Sequence, residues 1–130
     1  MIKLYTDAAV NQKYQKSAAG ILILQNSDQI QLTKPLTTTD NHEAEFQAAL
    51  IGHQQIKPVN SEELIFFYTD SKIVAEAINK QYAKHYQLYV DQLLELEAKL
   101  GTVITEWIPD RENKGAHNLA LQALHHLERI

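Results

Sequence analysis

The nine residues "FFYTDSKIV", Phe66–Val74, change period at their centre, and that change decides the fold. Phe66–Thr69 is an aromatic and β-branched run of the kind that forms a buried strand. Beyond it, Val74, Ala77 and Ile78 return at helical spacing, and Ser71 stands where a helix cap belongs. A strand feeding directly into a helix is the building unit of an α/β sheet. The letters Tyr-Thr-Asp at the turning point also occur at Tyr5–Asp7, within "KLYTDAAV" (Lys3–Val10). That earlier copy enters a hairpin, whereas the later one enters a helix, so the two are not an internal repeat.

Working outward, Ile2–Asp7 alternates as a strand, "AAGILILQ" (Ala18–Gln25) is a continuous buried strand, and "QIQLT" (Gln29–Thr33) is a half-exposed partner reached through the turn Asn26–Asp28. Asp40 and Glu43 form a capping box ahead of "EAEFQAALIGHQQI" (Glu43–Ile56), a helix closed by Pro58. The strand Glu63–Asp70 and a short helix through Asn79 follow. Tyr89, Leu93, Leu96 and Leu100 then mark a longer helix capped by Gly101. Strand five is Thr102–Ile108, and Ala116, Leu119, Ala120, Ala123 and Leu127 give a last helical stripe. The order βββαβααβα predicts an α/β fold: a five-stranded mixed sheet, three antiparallel strands then two parallel, flanked by helices. Residues 1–130 read as one domain, without linker or low-complexity tract.

Hydrophobic residues make up 45% and charged residues 22% of the 130, which excludes a disordered chain. There is no cysteine, so disulfides and thiolate metal sites are excluded. No apolar run approaches the roughly 18 residues that span a bilayer, and "MIKLYTD" lacks the pattern of a signal peptide. The expectation is a cytoplasmic protein with no membrane partner. A net charge of −4 argues against broad electrostatic grip on nucleic acid, though not against a local patch or contacts made through metal ions.

If the strand ending at Asp70 lies beside the first strand, Asp7 and Asp70 meet near the carboxyl ends of parallel neighbours, the usual place for a site in such sheets. Glu45, in the first turn of the helix between them, adds a third oxygen donor. Clustered carboxylates repel unless protonated or neutralised, so they point to hard cations. Mg²⁺ held in this way suits phosphodiester hydrolysis. Either aspartate alone is more often a turn or cap residue, and Glu45 alone a solvated residue at a helix start.

Four segments, "YTDAAV" (Tyr5–Val10), "NHEAEFQAALIG" (Asn41–Gly52), "FYTDSKIVAEAIN" (Phe67–Asn79) and "WIPDRENKGAHNLALQAL" (Trp107–Leu124), occur in an order that resembles the type I ribonuclease H family. "INKQYAKHYQLY" (Ile78–Tyr89) is similar to its stand-alone bacterial and archaeal members, and the resemblance spans essentially the whole chain. It implies that Asp7, Glu45 and Asp70 hold two Mg²⁺ or Mn²⁺ ions and that the substrate is the RNA strand of an RNA–DNA hybrid. Hybrid geometry and 2′-hydroxyls, rather than base sequence, would then provide discrimination. No small-molecule cofactor is implied. Contacts to nucleic acid are expected from Asn41, Ser71, Lys72, Lys84, Arg111 and Asn113, with Lys80 and His85 adding to a modest basic edge.

The chain departs from this family in places. His117 stands where a fourth carboxylate belongs, in Asn113-Lys-Gly-Ala116-His117-Asn-Leu119-Ala120. Imidazole suits Mn²⁺ better than Mg²⁺, so His117 reads as a catalytic residue and metal ligand, a proton carrier, or a relaxed position. Ala8 replaces the usual glycine after the first aspartate, and the hairpin "VNQKYQKSAAG" (Val10–Gly20) is poor in glycine. Trp107 reads as core at the end of strand five, with stacking on a base as the less favoured alternative. The alternative function is a catalytically weak or inactive module of this fold, binding nucleic acid or a protein partner. Some stand-alone bacterial relatives carry names tied to cell-wall processing.

Overall fold

The computed structural model describes residues 1–58, 60 and 62–129. Its elements are β1 (Ile2–Asn11), β2 (Lys16–Gln25), β3 (Asp28–Pro35), α1 (Asn41–Gln55), β4 (Leu64–Thr69), α2 (Lys72–Lys80), α3 (Gln87–Leu100), β5 (Thr102–Trp107), a 3-10 turn (Asp110–Glu112) and α4 (Lys114–Glu128). The sheet runs β3-β2-β1-β4-β5. The first three strands pair antiparallel, and β4 and β5 add in parallel through helical crossovers. The mixed five-stranded sheet expected from the element order is therefore the observed one.

Local chemistry accounts for most boundaries. Asp40 caps α1 by accepting from the Glu43 N–H at 2.9 Å, and Ser71 caps α2 by accepting from Val74 at 3.3 Å. Gly101 ends α3 with φ of 110°, a conformation that favours glycine. The hairpins close without glycine, on Gln15 and Asn26 in the left-handed region. One boundary differs from its sequence reading. β1 continues past Asp7 to Asn11, because the Val10↔Ser17 and Asn11↔Lys16 pairs with β2 satisfy its backbone where no apolar alternation signals a strand.

Alternation along β1 divides the core into two layers. Ile2, Leu4 and Thr6 face α1 together with Ile65 and Phe67 of β4, and Phe46, Val74, Val90 and Leu93 fill this layer. Its tightest point is Gly52, where a Cβ would come within 2.6 Å of Thr6 Cγ2. His53, the next residue, is buried here. Its Nδ1 lies 2.7 Å from the Ala49 carbonyl and its Nε2 2.8 Å from Glu97, which ties α1 to α3. On the opposite face α4 lies on β2 and β1, with Ala9, Ala18, Ala120 and Leu124 between them.

The approach of α4 is closest at Gly20 of β2. A Cβ there would meet the Ala116 carbonyl oxygen at 2.1 Å and the Ala120 nitrogen at 2.5 Å, both backbone atoms that no rotamer can move aside. Gly20 pairs with Asp7 across the β1–β2 ladder, so the same contact sets how near α4 comes to the candidate site. Gly20→Val is expected to destabilise the fold by about 3 kcal/mol, the upper range for overpacking, seen as a lower midpoint in urea unfolding. Gly115→Ala meets only the flexible Leu22 side chain and should cost less.

Candidate metal centre

Pairing of β1 with β4 ends at Thr6↔Thr69, so the edge of β1 beside Asp7 has no strand next to it. Three carboxylates occupy this opening. Asp7 comes from β1, Asp70 from the turn between β4 and α2, and Glu45 from the first turns of α1. One oxygen from each lies within 4.8 Å of the others. The three residues are far apart in sequence and are joined by the sheet, as the positions of the two Tyr-Thr-Asp triplets led us to expect.

Burial and mutual repulsion dominate the electrostatics. Asp7 is pushed up to about 6, mainly by desolvation and then by the Asp70 charge. Glu45 is pushed up to about 9, again by desolvation first and then by Asp7 and Asp70. Desolvation likewise raises Asp70, although a hydrogen bond from Asn113 opposes the shift. These shifts describe buried like charges that raise one another's proton affinity. A compact set of carboxylate oxygens fits a hard divalent cation better than a soft one.

His117 reaches the cluster from α4. Its Nδ1 lies 2.8 Å from Asp7 Oδ2, while its side chain remains 48% exposed. It stands beside the three-carboxylate group and bonds to one member of it. Asn113 is placed differently from its sequence reading as a nucleic-acid contact. It is only 1% exposed, and its amide donates to the Thr6 carbonyl at 2.9 Å and to Asp70 Oδ2 at 3.5 Å. A side chain so buried orients Asp70 from within, and it does not face an incoming strand. Its Oδ1 has no partner among the described residues.

The remaining expected contact residues are spread around this centre. Ser71 is occupied in capping α2. Lys72 lines the cleft over the carboxylates, an opening of about 480 Å³ shared with Asp7, Ala8, Asp70, Asp110 and His117. Asn41 is exposed at the start of α1, and Lys84 is exposed on the α2–α3 connection, outside the cleft lining. Arg111 is exposed on the 3-10 turn, 4.0 Å from Glu112. The sequence favoured a core position for Trp107 over a stacking role, and the structure places it outside the core. Trp107 is 44% exposed and lines the cleft, because it ends β5 at the sheet's outer edge. The signal available was its position opposite Thr69, one residue before Asp70.

The family model described as reverse transcriptase-like matches residues 5–123. EbsB of Enterococcus faecalis (strain ATCC 700802 / V583), provisionally named a hydrolase, is 36% identical over 127 residues, with 95% of this chain and 94% of that protein covered. Ribonuclease H of Trichodesmium erythraeum (strain IMS101) is 29% identical over 86 residues, covering 66% of this chain and 53% of that enzyme. Among solved structures, LC11-RNase H1, isolated from compost and solved with an RNA/DNA hybrid, has a TM-score of 0.86 over 98% of this chain and 99% of that one. At 14% identity the last is a likeness of fold. Among the described residues no helix is long and apolar enough to cross a membrane.

The raised carboxyls predict a pH signature. Asp7 and Glu45 bind protons more tightly in the folded chain than at their ordinary values of 3.8 and 4.5. The folded state therefore holds more protons than the unfolded one between those values and about 6 and 9, and stability falls as pH rises through that window. The urea midpoint in EDTA should decline from about pH 4 to about pH 9, and millimolar Mg²⁺ or Mn²⁺ should flatten the decline. Glu45→Gln should raise the midpoint in EDTA at pH 8. A midpoint insensitive to both divalent ion and pH would contradict the cluster's electrostatics.

Proposed function

The chain belongs to the reverse transcriptase-like family and has its RNase H-like fold, and from that premise we propose that it is a metal-dependent endoribonuclease cutting the RNA strand of RNA–DNA hybrids. The observation that carries this reading is the convergence of Asp7, Glu45 and Asp70 within 4.8 Å, with both aspartates lining an open cleft. The neighbouring fold solved with an RNA/DNA hybrid supports the choice of substrate.

Asp7, Glu45 and Asp70 would hold two Mg²⁺ or Mn²⁺ ions. When bound, such ions lower the pKa of a coordinated water and stabilise the leaving oxygen of the phosphodiester. The protein's own part is to keep the donors in place. Asn113 fixes Asp70 against the Thr6 carbonyl, and the end of the β1–β4 ladder keeps the space between the aspartates free of backbone. His117 stands beside this set with its Nδ1 2.8 Å from Asp7 Oδ2, and it would serve as the fourth ligand on giving up that bond. A nitrogen donor there favours Mn²⁺ over Mg²⁺.

A second reading is a weakly active or inactive module of the same fold. It is favoured by the same His117, which supplies no negative charge where the family pattern has a carboxylate.

Cleavage of an end-labelled RNA–DNA hybrid with Mg²⁺ and with Mn²⁺ separates the two. The wild type should cleave, better with Mn²⁺, and Asp70→Asn should lose at least about a hundredfold, the upper range for perturbed metal sites. His117→Asp should raise the Mg²⁺ rate relative to the Mn²⁺ rate. Absence of cleavage with either ion at high enzyme selects the second reading. An ion preference unchanged by His117→Asp removes His117 from the ligand set.

A further inference from the structure

The geometry points to Trp107 and Lys72 as one substrate-positioning unit at the rim of the carboxylate cleft, the indole face carrying the lysine ammonium to meet a phosphate of the bound nucleic acid. This inference rests on the reading of the site as a nuclease and adds residues that grip the substrate backbone. Trp107, the sole tryptophan of the chain, donates its indole N–H to the Asp70 carbonyl at 3.0 Å. That bond fixes the ring to the main chain of a cluster residue. The ring's face is then available, and Lys72 Nζ lies over it, 5.0 Å from the centroid.

Two features set Lys72 apart from an ordinary surface lysine. It is the first residue of α2, where the helix dipole disfavours a cation. It also shares a cleft with Asp7, Asp70 and Asp110, yet among the described residues it forms no ion pair with any of them. The stacked position over Trp107 therefore keeps a positive charge apart from the carboxylates while leaving it in their cleft. A phosphodiester chain entering an acidic site in an acidic protein needs such a charge beside the cluster. Trp107 adds the flat apolar surface on which a sugar can rest. Lys72 contacts the substrate, and Trp107 acts on binding both directly and by aiming Lys72.

A double-mutant cycle tests the unit, with binding read by anisotropy of a fluorescein-labelled hybrid in Ca²⁺ at several salt concentrations. Lys72→Gln should weaken binding about 5-fold and reduce the salt slope by about one phosphate contact, and Trp107→Leu, which removes the ring's own contact as well as the lysine's aim, should weaken binding further. The double variant should be no weaker than Trp107→Leu alone, because the lysine loses its aim with the ring. Trp107→Phe, which keeps an aromatic face but loses the N–H that fixes it, should fall between wild type and Trp107→Leu. In the wild type, emission from the sole tryptophan should change saturably as hybrid is added. Multiplicative losses in the double variant, an unchanged salt slope, or Trp107→Phe as weak as Trp107→Leu overturns the unit. Cleavage by the wild type with tryptophan emission unaffected by hybrid overturns the unit alone. Neither binding nor cleavage by the wild type overturns both the unit and the nuclease reading.

Discussion

The candidate site depends on one register: Tyr5 opposite Tyr68 and Thr6 opposite Thr69 in the parallel pairing of β1 and β4. The tyrosine rings stack at 5.0 Å on one face of the sheet, and the threonines are buried on the other. Each Tyr-Thr-Asp triplet thus uses its tyrosine and threonine to hold the pairing and delivers its aspartate just past the last paired residue. A slip of one residue would move one strand's side chains to the opposite face and shift the aspartates by about 3.3 Å along the strands.

Two close backbone contacts on opposite faces of the sheet complete the arrangement. Gly52 lets α1 settle onto Leu4 and Thr6, and Gly20 lets the backbone of α4 rest on β2. Glu45 lies seven residues before Gly52, about two helical turns, which returns it to the face of α1 that overlies β1. His117 follows Ala116, whose carbonyl marks the contact of α4 with Gly20. The acidic residue and the imidazole thus reach Asp7 from different layers. Crowding acids into this space raises their proton affinity, and the fold bears that cost where a charged ligand can offset it.

Net charge is a poor guide to such a site. The chain carries −4 overall, yet Lys72 lines the same cleft as Asp7 and Asp70. What a nucleic-acid backbone meets is the local field within about a Debye length, roughly 8–10 Å in ordinary salt.

The sequence by itself determined the element order, the mixed sheet and the three carboxylates. These rest on local signals: period-2 and period-3.6 patterning, the Asp40 and Ser71 caps, and triplets that end strands. It also singled out His117 as a departure from an expected acid. The tertiary structure alone decided which way several side chains turn. Asn113 lies inward beneath Asp70, Trp107 stands at the rim rather than in the core, and His53 meets Glu97 across two helices. Periodicity reports which face of an element is apolar, but the end of a strand at a sheet edge has no covering layer to make that report correct. Contacts between residues 37 to 107 positions apart, such as Trp107 to Asp70 and Asn113 to Thr6, exist only after the strands have paired and the helices have docked.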